Sequence, residues 1–182
     1  MIAPRGLVDA GWQLNRKVGV AFDGSPESRV ALGHAAVLAE AAGVPLRIIG
    51  VVDPFVASPF DPAVPREVEA AAEHGEAIDE RRHRILEEHL QQAIAELPPE
   101  LDAGYEVLEG NPAEQLIALS AKLGLLVLGS RGYGPLRHVF LGGVSGAVTR
   151  GAHCPTLVVP RGAPAGDRIT ADEIEATSAP RG

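Results

Sequence analysis

Gly129, Gly132 and Gly142 stand in the segment GSRGYGPLRHVFLGG, with two residues between the first pair and nine between the second. The segment follows the apolar run LLVL and leads into GVSGAVTRGA. Glycine lets a ligand approach the backbone closely. A helix beginning at the far side of such a loop offers amides without intrahelical partners and the positive end of its dipole. Together these make a site for a small anion such as phosphate. Arg131, Arg137 and His138 add positive charge in the same stretch. Asp23, in VGVAFDGS, closes another apolar run. A turn role at helix entry is open to it, but its place at the end of a strand favours ligand contact. Two standard phosphate motifs are absent. No GxxxxGK followed by Ser or Thr occurs, and GYGPLR lacks the last glycine of GxGxxG. Composition and spacing alone leave a phosphate cradle and a structural turn both open.

Regular elements must hold these residues in place. An irregular leader is expected over 1–15. Val18 to Phe22 reads as a buried strand. The next helix has Ser25 as N-cap, Pro26 in its first turn and Gly43 at its end. Val30, Ala31, His34, Val37, Leu38 and Ala41 fall at helical spacing and predict its buried stripe. Leu46 to Val52 is a second strand. Residues 54–66 hold four prolines and predict a loop, a mobile cover for the adjoining strand ends. A long helix is expected from about Glu67 to Leu97, with Ile78, Ile85, Leu86, Ala93, Ile94 and Leu97 on its apolar face. YEVLEG is a third strand. Asn111, Pro112 and Glu114 signal the start of a third helix. LLVLG is a fourth strand, GVSGAVTRGA a fourth helix and PTLVVP, Pro155 to Pro160, a fifth strand. Strands that are apolar at consecutive positions and alternate with helices predict an α/β fold, a parallel sheet covered on both faces. Right-handed crossovers make it doubly wound. Ligands of such sheets bind beyond the carboxyl ends of the strands, where the glycine segment begins.

Composition agrees. The 182 residues fit one domain, expected over 16–161, with a disordered tail over 162–182. Aromatic residues are 4% of the chain, so the core must be aliphatic. The net charge of −8 argues against broad nucleic-acid binding, which needs a basic surface. It leaves room for a local anion site. Cys154 is the sole cysteine, so neither an internal disulfide nor a cysteine cage for zinc can form. No apolar leader and no run near the ~20 residues of a membrane helix are present, which predicts a cytoplasmic protein without membrane attachment.

The spacing Gly129-x2-Gly132-x9-Gly142 resembles the G-x2-G-x9-G-(Ser/Thr) pattern of the universal stress protein family, in its nucleotide-binding branch. VLGSRGYGPLRHVFLGGVSGAVTRGAHCPTLVVP is similar to the family's C-terminal half. VGVAFDGSPESRVAL is similar to its first strand, loop and helix, and VLEGNPAEQLIALS to its third strand and helix. The resemblance covers roughly residues 16 to 161. It implies a Rossmann-like, five-stranded parallel sheet of order 3-2-1-4-5, of the adenine nucleotide alpha hydrolase type. It implies an ATP site where strands 1 and 4 meet. Asp23 would hold the ribose or adenine side, Val51 would contact adenine mainly through its backbone, and Gly110 would flank the nucleoside. Gly129, Gly132 and Gly142 would wrap the phosphates, with magnesium brought by the triphosphate. Position 143 departs from the pattern: it is glycine, so the expected hydroxyl is missing. The amides of Gly143 and Val144 must then serve, and Ser145 is a candidate to compensate. The family also implies a homodimer through the fifth strand, Thr156 to Pro160, and an unidentified protein partner.

Other residues read more plainly. Asp53, before Pro54, is a turn residue. His34 lies on an apolar stripe and predicts a packed histidine. His74, His83 and His89 are not aligned for a metal, and DERRHR predicts a solvated helix face. Cys154 is expected to be buried and inert. GxSxG is absent, as are the HIGH and SGGxDS signatures of adenylating enzymes. The expected function is a nucleotide-dependent stress regulator with at most slow ATP hydrolysis. The alternative is an interaction protein of the same fold that binds no nucleotide, which Gly143 favours and the glycine spacing opposes.

Overall fold

Short aliphatic runs form the sheet and amphipathic segments cover it. The computed structural model describes residues 14, 16–53, 78–130 and 142–163. The leader, the proline-rich loop with its covering role, the glycine segment over 131–141 and the tail lie outside the described residues. In chain order the elements are β1 (Val18–Ala21), α1 (Pro26–Ala42), β2 (Leu46–Val52), α2 (Ile78–Ala95), β3 (Ala103–Glu109), α3 (Pro112–Ser120), β4 (Leu125–Ser130), α4 (Gly143–Gly151) and β5 (Thr156–Pro160). The strands lie in the order β3-β2-β1-β4-β5, all parallel. This is the expected α/β architecture, with the order reversing between β1 and β4.

Parallel strands need covering on both faces, and two aliphatic layers provide it. Val18, Val20, Leu46, Ile48, Leu125, Val127 and Val159 face α1 and α2, meeting Ala31, Leu32, Ala35, Ala39, Leu90 and Ala93. Ile49, Leu126 and Leu128 face the other way, toward Leu116 of α3 and Val148 of α4. The helix stops and starts match the sequence signals. Ser25 Oγ accepts from the Ser28 N–H at 3.2 Å and Gly43 ends α1 with φ 62°. Asn111 Oδ1 accepts from the Ala113 and Glu114 N–H groups at 3.0 and 3.2 Å.

Several expectations need correction. The buried face of α1 is Ser28, Ala31, Leu32, Ala35 and Ala39. Val30, His34, Val37 and Leu38 are half-buried at its margins and Ala41 is exposed. Small residues line the contact because they let the helix lie close to the sheet. In α2, Leu90 is fully buried beside Ala93, while Leu86 and Ile94 flank the core. Gly50 accounts for this approach: a Cβ there would lie 2.9 Å from Leu86 and 3.0 Å from Leu90. Within DERRHR, Arg81, Arg82 and His83 are half-buried rather than solvated. β1 ends one residue early, β3 begins two residues early and β5 begins at Thr156, because those are the limits of pairing with their neighbours.

Candidate functional site

Parallel pairing delivers all five carboxyl ends to one side of the sheet. Beyond β1, the Phe22 N–H still donates to Ile49 O at 2.8 Å, and Asp23 follows. Asp23 is exposed, and its Oδ1 accepts from the Ser25 N–H at 3.0 Å. One carboxylate oxygen therefore shapes the entry to α1, as the turn reading expects, while the group remains open to solvent. Gly24 has φ 79°, and a Cβ there would lie 3.0 Å from His89 Nδ1. The histidine ring of α2 thus backs the Asp23–Gly24 turn. Its role was invisible in a spacing of histidines along one helix.

The ends of β2 and β3 meet alongside. Val51 pairs with Leu108, and the Gly110 N–H donates to Val52 O at 2.9 Å. Gly110 has φ 120°, a conformation that favours glycine. Val51 and Gly110 therefore lie at neighbouring strand ends. His83 Nδ1 lies 3.7 Å from Glu109 at the same rim.

Gly129, next to last in β4, has a packing reason to be glycine. A Cβ there would lie 2.6 Å from the carbonyl oxygen of Glu27, in the first turn of α1. That contact brings the start of α1 against the end of β4. Gly132, Arg131, Arg137 and His138 lie outside the described residues.

The orientation of α4 follows from its exit. The Leu126 N–H, near the start of β4, donates to Pro155 O at 3.0 Å, and the His153 N–H donates to Ser120 Oγ at 2.8 Å. The helix thus ends at the amino side of the sheet. Its nine residues span about 13.5 Å at ~1.5 Å per residue, so its first turn points toward the carboxyl side. That first turn is unlike the starts of α1 and α3, for Gly142 supplies no side-chain cap. The N–H groups of Gly143, Val144 and Ser145 belong to the set that no helix satisfies internally. Gly143 is exposed, Val144 is 40% exposed, and a Cβ at Gly143 would meet nothing within 4 Å. Ser145 is buried, and its Oγ donates to Gly142 O at 3.3 Å.

Other candidates fall away from this rim. Cys154 is buried before β5, and burial pushes its thiol up to about 11 while backbone hydrogen bonds pull the other way. It is an inert thiol at neutral pH. A groove of ≈ 340 Å³ opens at the amino end between Lys17, Arg47, Tyr105, Glu106, Leu119, Lys122 and Leu123, and no residue of the expected site lines it. Among the described residues no group of three His, Cys, Asp or Glu side chains is placed to hold a metal ion. No described helix is long and apolar enough to cross a membrane.

Known proteins share both the sequence and the architecture. A universal stress protein of Mycobacterium tuberculosis is 33% identical over 159 residues, covering 81% of this chain and 49% of the relative. The chain thus spans about half the length of the mycobacterial relatives it matches. A universal stress protein of Methanocaldococcus jannaschii is 31% identical over 157 residues, covering 84% of this chain and 86% of the relative. A solved universal stress protein in complex with cAMP superposes with a TM-score of 0.54 at 25% identity, covering 81% of this chain and 98% of that one. One from Archaeoglobus fulgidus shares the fold with a TM-score of 0.56 at 19% identity, covering 79% and 97%. The sequence model of the universal stress protein family matches residues 15–160. Family and fold agree, and the chain belongs to the universal stress protein family.

Proposed function

We propose that this universal stress protein binds ATP at the carboxyl end of its sheet and acts as a nucleotide-dependent regulator through conformational change or partner binding. The observation that carries the reading is the start of α4. It is exposed, lacks a side-chain cap and points toward the end of the sheet where the order reverses. Such a start favours a phosphate. Asp23, Val51 and Gly110 would hold the nucleoside, and Gly129, Gly132, Gly142, Gly143, Val144 and Ser145 the phosphates. The solved relative in complex with cAMP supports an adenine nucleotide as the ligand class. Magnesium retains several waters and is commonly held through substrate phosphates with one or two carboxylates. The carboxylate of Asp23, exposed at this rim, fits an ion that arrives on the triphosphate. Calorimetry with ATP, ADP and GTP in magnesium tests the reading. Heat with ATP is expected, and the absence of both heat and thermal shift at millimolar ATP favours the alternative, an interaction protein without nucleotide.

We also propose a homodimer through β5. Its Leu157 and Val158 remain half-buried in the single chain, and its outer edge has no strand partner among the described residues. Apolar edges tend to be covered, and two-fold pairing is the commonest way. Light scattering should give a dimer for the native chain and a monomer for Val158→Lys; a native monomer at all concentrations contradicts the idea.

A further inference from the structure

Arg161 is the first residue beyond β5. Gly129 pairs with Val159 and Ser130 with Pro160, so Arg161 sits next to the point where the glycine segment leaves the sheet. Its guanidinium is anchored from one side. Glu27 Oε1 lies 3.2 Å from Arg161 Nε, with the Glu27 side chain 13% exposed and that of Arg161 68% exposed. The same Glu27 presents the backbone carbonyl that crowds Gly129. Gly129, Glu27 and Arg161 therefore form one corner at the end of β4 and β5. Arg29, in the same turn of α1, is committed elsewhere: it lies over the Phe22 ring at 5.7 Å and 3.5 Å from Glu96.

A guanidinium carries five N–H donors in a rigid fork that matches phosphate bidentately. The ion pair with Glu27 is made through Nε. A mostly buried carboxylate thus holds an exposed arginine beside Gly129 and Ser130, at the end of β4. We propose that Arg161 is a phosphate ligand of the nucleotide site, with Glu27 as its positioning residue. This rests on the nucleotide reading above and supplies a charged contact in a site whose position 143 lacks a hydroxyl.

The test measures the affinities of ATP, ADP and adenosine for the native chain and for Arg161→Gln. Arg161 is exposed, so the variant should fold, and a thermal melt checks this. A charge-assisted bond is worth about tenfold or more in affinity. The expected result is about a tenfold or greater loss for ATP in Arg161→Gln, a smaller loss for ADP, and adenosine unchanged. The ATP gap between the two proteins should narrow as salt rises, because the contact is electrostatic. Equal ATP affinity in both proteins overturns the assignment while leaving the nucleotide reading intact. An equal loss for ATP and adenosine also overturns it, since a structural role would weaken both. A native chain that binds none of the three ligands overturns the assignment and the nucleotide reading together.

Discussion

The two ends of the sheet are built on opposite terms. At the amino end the backbone is closed by its own hydrogen bonds. The N–H groups of Val18, Leu46, Gly124 and Leu126 donate to the carbonyls of Pro45, Asp102, Lys17 and Pro155, and Ser120 ties the end of α3 to His153. At the carboxyl end the chain turns on Gly24 and Gly110 with positive φ, and α4 begins without a side-chain cap. One end ties its backbone amides to neighbouring carbonyls, and the other begins a helix without a side-chain cap beside an exposed carboxylate. Stability and binding are thereby separable, and substitutions can be aimed at either.

Gly129→Ala should give the largest combined effect. Its Cβ would press on the Glu27 carbonyl, and overpacking of this kind costs about 1–3 kcal/mol. It would also shift the start of α1 and the corner that holds Arg161, so ATP affinity should fall with stability. Denaturant unfolding and calorimetry check both; unchanged stability would show that the corner yields easily. Ser120→Ala belongs to the amino end. It removes the acceptor for the His153 N–H and the donor to Ile117 O, at a fully buried position. A loss of about 1–3 kcal/mol is expected, with ATP affinity unchanged. A weakened ATP affinity with the fold intact would contradict the separation of the two ends. Gly143→Ser is the smallest change. There is open space for the side chain, and one restored hydrogen bond should tighten ATP by roughly tenfold and leave adenosine alone. Ser145→Ala, measured beside it, asks whether that hydroxyl contributes. Its donation to Gly142 O leaves only its acceptor capacity, so a small loss of ATP affinity at most is expected.

Much of this was legible in the sequence for local reasons. Ser25, Gly43 and Asn111 mark helix limits because capping is a contact between neighbours in the chain. The strands declared themselves as apolar runs, and their order came from resemblance rather than from periodicity. Of the buried stripe of α1 the sequence reading places Ala31 correctly but misses Ala35 and Ala39, because hydropathy favours Val and Leu, whereas close approach to a sheet favours small side chains. The glycine spacing pointed to the rim, yet it could not show that Gly129 is also required by Glu27. The corner of Glu27 and Arg161 had no sequence signal, since it depends on the register of β4 with β5. His89 was likewise hidden, because its neighbour Gly24 belongs to another strand's turn.

The central claim is that phosphate is held by backbone amides at the start of α4 while the amino end stays unchanged. A 1H–15N NMR titration of the native chain with Mg-ATP, compared with adenosine, observes those amides directly. The account predicts that ATP shifts the amides of Gly129, Gly143, Val144 and Ser145, that adenosine shifts those of Asp23, Val51 and Gly110 but spares the start of α4, and that those of Leu46, Gly124 and His153 stay still under both. ATP shifts that bypass the start of α4, or that centre on the amino end, would contradict it.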